Sequence, residues 1–202
     1  NRSDKLLLNI LPEETAQELK QYGKVKAKKF DSVTVLFTDF KDFTKFSEWV
    51  DPEQLIRSID FYFREFDMII SKYGLEKIKT IGDSYMCASG IPVPSSTHAI
   101  AMVNTALEIQ QFMEHHIDER KKAGKPVLEI RIGIHSGAVV AGIVGVRKFA
   151  YDIWGDTVNL AARMQQVAAP GSVCVTADTW RLLGGHGGGQ PMGRMEIKGK
   201  GL

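Results

Sequence analysis

No apolar run in this 202-residue chain approaches the length needed to span a bilayer, and its start lacks the order of a signal peptide. Direct membrane insertion by this segment is therefore not expected. Cysteine is scarce: the only two, Cys87 and Cys174, lie in apolar, strand-like surroundings and read as buried free thiols. That usage points to a reducing, cytoplasmic compartment, at the cytoplasmic face of a membrane if the intact protein is anchored. Charge of one sign is also lacking. A net charge of +2 gives no basic excess for nucleic acid, and the short run Lys24-Val25-Lys26-Ala27-Lys28-Lys29 reads as a solvated connector. What is present is an ordinary globular composition, 44% hydrophobic and 25% charged, long enough for one real core. The chain opens and stops abruptly, so an excised domain of a longer protein is expected.

Two regions follow from the patterning. Residues 1–29 form an arm: Leu6-Leu7-Leu8-Asn9-Ile10-Leu11 is apolar, Pro12 suits a helix start with Glu13 and Glu14 in the first turn, and Gly23 suits its end. Residues 30–202 form the main domain. It begins with a β-branched strand, Val33-Thr34-Val35-Leu36-Phe37-Thr38, ending at Asp39. A long helix from about Pro52 repeats Leu55, Ile59, Tyr62, Phe66 and Ile69 on one face. A hairpin comes next: Leu75-Glu76-Lys77-Ile78-Lys79-Thr80-Ile81 alternates like a half-buried strand, Gly82 bends the chain, and Tyr85-Met86-Cys87-Ala88 returns. A second helix spans about 98–122, with Ile100, Val103, Leu107 and Ile117 expected inward. Strands over 128–135 and 139–144 are expected to join at Ser136-Gly137. This order, strand-helix-strand-strand-helix-strand, is the α+β ferredoxin-like split βαβ pattern. A C-terminal α/β extension adds a loop and helix over 152–166 and a strand over 172–176. The glycine-rich stretch 184–189 lacks the strand-then-helix frame of a phosphate loop and reads as a mobile surface loop.

Several residues could carry chemistry. Asp39 and Asp83 each end a strand, and the split fold makes those strands neighbours. Two converging carboxylates repel unless a cation lies between them, and magnesium binds through one or two carboxylates plus substrate phosphates. Position alone equally allows two turn caps. Asn159 and Arg163, four apart, project from one helical face and could hold a sugar oxygen and a phosphate together, although spacing alone favours a solvated face. Asp156 or Thr157 could cap that helix. Lys198-Gly199-Lys200-Gly201 lets an ammonium approach phosphates closely, a weak signal by itself. His135 reads as a hydrogen-bonded strand terminus rather than a base.

In order along the chain, Leu36-Phe37-Thr38-Asp39-Phe40, Lys77-Ile78-Lys79-Thr80-Ile81-Gly82-Asp83, Arg131-Ile132-Gly133-Ile134-His135-Ser136-Gly137, residues 151–163 and residues 198–201 resemble the motifs of class III nucleotidyl cyclase catalytic domains, adenylyl cyclase type. The resemblance runs from about Ser32 to the last residue. It implies a ferredoxin-like palm that works as a homodimer, with ATP as substrate and cyclic AMP and pyrophosphate as products. Asp39 and Asp83 match the aspartates that hold two Mg2+ (or Mn2+) ions per active site, assisted by the Phe40 carbonyl. Lys79 and Asp152 match the adenine-reading pair, where guanylyl cyclases typically carry glutamate and cysteine. A lysine donating to a ring acceptor and a carboxylate accepting from an exocyclic amine suit adenine. Asn159 matches the ribose-orienting residue, Arg163 the transition-state arginine, and Lys198 the lysine that meets the terminal phosphates. One departure is Ala138, where some members place a phosphate-binding arginine after the Ser-Gly pair.

The resemblance extends to the arm, which is similar to the linkers that join such domains to upstream sensor or regulatory domains. It also implies that metals and base-reading groups belong to different subunits at each site, so Lys79 and Asp83 would serve two different active sites. The alternatives are a guanylyl cyclase, against which Lys79 and Asp152 argue, and a non-catalytic nucleotide-binding dimerisation module, which would be expected to lack one of Asp39, Asp83, Asn159 or Arg163.

Overall fold

The computed structural model describes residues 2–145 and 147–193. Residues 33–38 are buried without a break, although a strand with one wet face would alternate. They form the middle of β1 (Lys28–Phe40), and the continuous burial has a simple cause: both faces of the sheet are covered. On one face lie α4 (Pro52–Lys72) and α5 (His98–Lys122), packed around Phe40, Tyr62, Phe66, Tyr85, Met102 and Ile109. On the other lies a second cluster of Val33, Val35, Phe37, Met86, Tyr151 and Ile153 with Ala161 of α6 (Asp156–Val167).

The sheet order is β2 (Glu76–Ile81), β3 (Ser84–Ser89), β1, β4 (Ile130–Val144), β5 (Ala150–Trp154). All these neighbours are antiparallel, and β6 (Val173–Val175) adds to β4 in parallel. The first four strands stand in the spatial order of the split βαβ fold, as expected from the sequence. Shorter helices are α1 (Arg2–Leu8), α2 (Glu13–Tyr22), α3 (Phe43–Trp49) and α7 (Ala177–Leu182). Gly23 ends α2 in the left-handed conformation, its N–H donating to the Leu19 carbonyl. Leu11 and Ala16 from the arm are buried in the second cluster beside Val139 and Ala141. Cys87 and Cys174 are both free and buried.

Four local expectations are corrected. Residues 130–144 form one continuous strand rather than two, because Ser136 and Gly137 stay in register opposite Thr34 and Val33. The inward face of α5 is His98, Ala99, Met102, Thr105, Ala106, Ile109 and Met113, whereas Leu107 is exposed. Small and thioether side chains let this helix approach the sheet, with Ile109 buried among them, and Val103 packs against the same cluster as expected. Asp152 lies within β5, paired opposite Gly142, not in a loop. The first residue of α6 follows Gly155, with no side-chain cap from Asp156 or Thr157, because Thr157 is buried against β4 instead.

A buried chain of hydroxyls and imidazoles fastens α5 and α7 to the sheet. His98 bonds Ser32 through Nε2 (2.8 Å) and Thr34 through Nδ1 (2.7 Å). Thr34 Oγ1 meets Ser136 Oγ at 2.8 Å, and Ser136 Oγ meets Thr179 Oγ1 at 2.9 Å. His135 Nδ1 meets Thr176 Oγ1 at 2.7 Å, so it is hydrogen-bonded as expected, but it stands inside β4 rather than at a strand end. Burial lowers the pKa of both imidazoles below the ordinary value.

Candidate active site

Register, not sequence proximity, assembles the first half of the site. Asp39 is the penultimate residue of β1, and the hairpin turn of β2 and β3 brings Asp83 to the same end. Gly82 makes that turn at φ 58°, a conformation that side chains disfavour. The Asp83 carboxylate accepts the Phe40 backbone N–H through Oδ2 at 3.1 Å, so it sits against the residue next to Asp39. Asp39 has a partner that motif reading did not supply. Arg131 of β4 lies directly opposite it and donates from Nε to Oδ1 and from Nη2 to Oδ2, both at 2.9 Å. Opposite charges at facing positions of an antiparallel pair are a recognised stabilising motif. The available signal was thus the β1–β4 register, which places Arg131 at that position.

Two carboxylates with oxygen donors fit a hard divalent ion that keeps waters and takes further ligands from a nucleotide. Among the described residues, no group of three or more His, Cys, Asp or Glu side chains forms a complete protein cage. The donor set therefore suits an ion shared with substrate better than a closed structural site.

The base-reading candidates also meet. Lys79 Nζ donates to Asp152 Oδ2 at 2.7 Å, joining β2 to β5 across 73 residues of sequence. A break in the β2–β3 register between Lys77 and Lys79 makes this possible. Without it the two lysines would share one face. Instead Lys77 reaches Asp67 on α4 at 2.9 Å, while Lys79 turns to β5. Asp152 is oriented by its own neighbour, since Oδ1 accepts the Ile153 N–H at 2.8 Å. The ion pair is part-exposed, with 42% of the Lys79 side chain and 15% of the Asp152 side chain accessible. Such pairs are typically worth only about 0–1 kcal/mol, so a ligand offering one acceptor and one donor can replace it at little cost.

Asn159 and Arg163 project from the exposed face of α6, four residues apart as expected. Arg163 Nη1 donates to Gln166 Oε1 at 3.1 Å. Among the described residues neither side chain bonds Asp39, Asp83, Lys79 or Asp152. One chain thus brings the Asp83 carboxylate to the backbone beside Asp39 and, separately, forms the lysine-aspartate pair, but among the described residues it does not bring Asn159 or Arg163 to either. Lys198 lies outside the described residues. Ala138 is exposed beside the strand residues that face α6.

The seating of α6 explains where Arg163 stands. A Cβ on Gly133 would come within 1.9 Å of the Gln165 backbone nitrogen, and one on Gly137 within 2.5 Å of Thr157 Oγ1. From Thr157 to Gln165 is about 12 Å of helix, and from Gly137 to Gly133 about 13 Å of strand, so the two run in step in opposite directions.

At the start of β2, burial lifts the Glu76 carboxyl to about 7 from 4.5. Burial, with Glu76 and Glu14 nearby, lifts the Tyr151 phenol to about 12. A carboxyl whose folded pKa exceeds its unfolded one holds its proton more tightly when folded. Its stabilising share is complete below about pH 4.5 and is lost as pH rises through about 7. Glu76→Gln is therefore expected to raise Tm at about pH 8, by the equivalent of about 1–2 kcal/mol once partial solvation is allowed for. It should leave Tm almost unchanged at about pH 4.5. Equal shifts at the two pH values in a thermal-melt series would contradict the assignment.

The profile of the family described as "Adenylate and Guanylate cyclase catalytic domain" matches residues 25–202. An adenylate cyclase of Mycobacterium tuberculosis is 38% identical over 203 residues, covering 100% of this chain and 45% of that protein. The rat guanylate cyclase soluble subunit beta-2 is 36% identical over 201 residues, covering 99% of this chain and 29% of that protein. The chain thus spans less than half the length of these relatives. Among solved structures, the catalytic core of a rhodopsin-guanylyl cyclase with converted specificity, in complex with ATPαS, superposes with a TM-score of 0.80 at 36% identity, covering 88% of this chain and 94% of that one.

Proposed function

This chain belongs to the adenylate and guanylate cyclase catalytic-domain family, and from that premise we propose that it converts ATP to 3′,5′-cyclic AMP and pyrophosphate as a homodimer. The observation that carries the choice of ATP is the Lys79–Asp152 pair, an ammonium and a carboxylate held side by side. Lys79 donates to a ring nitrogen of adenine, and Asp152 accepts from its exocyclic amine. The guanine edge presents an acceptor and a donor in the opposite sense and leaves both groups mispaired, a loss of about 1–3 kcal/mol for each buried group.

When bound, two Mg2+ or Mn2+ ions held by Asp39, Asp83 and the Phe40 carbonyl supply Lewis acidity to the ribose 3′-hydroxyl and neutralise charge at the phosphates. Asn159 orients the ribose so that the 3′-oxygen lies in line with the α-phosphorus. The 3′-oxygen forms its bond to phosphorus, its proton passes to solvent, and the bridging oxygen leaves with pyrophosphate. Arg163 donates to the oxygens on which charge builds in the transition state. Lys198 holds the terminal phosphates. A second copy of the chain supplies the half of the site that one chain leaves apart: Asn159 and Arg163 from one subunit face Asp39 and Asp83 of the other. The arm, residues 1–29, connects this domain to a regulatory region upstream.

The direct test is the purified protein with ATP or GTP and either Mg2+ or Mn2+, with both cyclic products quantified. Cyclic AMP in excess is the expected result. Cyclic GMP in excess would assign the guanylyl alternative, and no product at any dimer concentration would assign a binding module. The base-reading role has its own test. Lys79→Glu combined with Asp152→Cys is expected to move the ATP:GTP ratio of kcat/KM toward GTP by at least about tenfold, from the mispairing cost above. An unchanged ratio in a folded variant would remove the pair from substrate selection.

A further inference from the structure

A guanidinium occupies both oxygens of a carboxylate that is expected to take a metal ion. Arg131 and Asp39 face each other across β4 and β1 and are joined by two parallel bonds of 2.9 Å. The Arg131 side chain is 29% exposed and that of Asp39 18%, so the pair is part-buried. The neighbouring acid, Asp83, has one oxygen committed to the Phe40 N–H. We propose that Arg131 is a cationic latch on Asp39: it holds the carboxylate while no metal is bound, competes with the ion for it, and so sets the metal concentration at which the site fills. This inference rests on the reading of Asp39 as a metal ligand.

The physical argument has two parts. A forked guanidinium uses its donors bidentately on a carboxylate, which fixes the side-chain rotamer and satisfies both oxygens. An incoming ion would share those same oxygens: the fork takes two of their four lone-pair sites, and coordination at the others draws on the same charge and weakens both bonds. Even where the two cations share the carboxylate, a unit positive charge then lies a few ångströms from a divalent one in a half-buried place, where screening is weak. Both effects stabilise the metal-free chain relative to the metal-bound one. Removing the guanidinium should therefore tighten metal binding. A residue that merely aligned Asp39 for its metal would do the reverse, since its loss would leave the ligand disordered. Arg131 is on this account a positioning residue, acting on chemistry only through Asp39.

The measurement is Mn2+ binding by the purified protein without nucleotide, followed by the loss of the free aqueous Mn2+ resonance, on wild type, Asp39→Asn, Arg131→Gln and Arg131→Lys. Wild type should bind more tightly than Asp39→Asn. Arg131→Gln should bind about threefold to tenfold more tightly than wild type, the repulsion from one half-buried unit charge. Arg131→Lys, which keeps the charge and loses the fork, should fall between them and provides the answer if Arg131→Gln does not fold. The metal-free Tm of both Arg131 variants should drop, and the rise in Tm on adding Mn2+ should be larger than in wild type. Unchanged or weaker Mn2+ binding in folded Arg131 variants, with Asp39→Asn still impaired, would overturn the latch and leave the metal assignment standing. Wild-type binding no tighter than that of Asp39→Asn would overturn the metal assignment, and the latch with it.

Discussion

Replacing Arg163 with alanine is expected to lower kcat roughly 10²- to 10³-fold, or about 3 kcal/mol of barrier, with little change in KM. The reason lies in where the side chain stands. Arg163 is exposed on α6, and its bond in the folded chain goes to Gln166. It contributes almost nothing to folding, so Tm should stay within about 2 °C of wild type. An arginine positioned only for charge that develops during reaction should show this split between kcat and stability. A drop of less than about threefold would mean that charge on the phosphates is met elsewhere. The same variant also tests the two-subunit arrangement. Asp39→Ala and Arg163→Ala homodimers should each be inactive. Equal mixtures that exchange subunits should recover about a quarter of wild-type activity, because half the dimers are mixed and each carries one intact site. No recovery in dimers shown to be mixed would mean that every group of a site comes from one chain.

The second large effect concerns a residue with no side chain. Gly133→Ala should abolish activity and destabilise the domain by about 3 kcal/mol or more. The new methyl would lie 1.9 Å from the Gln165 nitrogen and 2.4 Å from its Cα, both backbone atoms that no rotamer change can move. Either α6 lifts from β4, carrying Asn159 and Arg163 with it, or the variant fails to fold. Denaturant unfolding separates this outcome from that of Arg163→Ala, since Gly133→Ala must shift the midpoint and Arg163→Ala must not. A folded, active Gly133→Ala protein of unchanged midpoint would show that α6 is not seated on the strand backbone.

The split fold was legible because its elements carry local signals: a β-branched run for β1, an apolar run for β3, glycine at the hairpin turn, and an apolar stripe along α4. The carboxylates, the lysine-aspartate pair and the two residues of α6 were legible as motif positions. Three features were not. Arg131 stands in a motif with no assigned task, and only the pairing of β1 with β4 brings its fork to Asp39. The separate fates of Lys77 and Lys79 depend on one irregularity of register, which alternation cannot foresee. On α5, hydrophobic periodicity weighs leucine above alanine and methionine, so Leu107 reads as inward, whereas close helix-on-sheet packing buries Ala99, Met102, Ala106 and Met113. Each case turns on a partner contributed by a distant strand or helix, which a local window does not contain.

Helix α6 rests on β4 with bare backbone beneath it at two points, and this sets its mechanical character. Side-chain layers between a helix and a sheet act as a cushion, since rotamers yield before the axis moves. Here that compliance is absent at Gly133, where the helix backbone at Met164 and Gln165 meets the strand directly, and at Gly137 it is reduced to the short Thr157 side chain. A slide or twist of β4 is passed to Arg163 undiminished, as a crank passes the turning of its shaft. Whatever give the helix has must lie at its two ends, at Gly155 and Ala168, where the helical hydrogen bonding begins and stops. Leu11 and Ala16 of the arm pack in the same cluster as Val139 and Ala141 of that strand. A push on the arm would therefore enter a stiff train whose far end is the guanidinium.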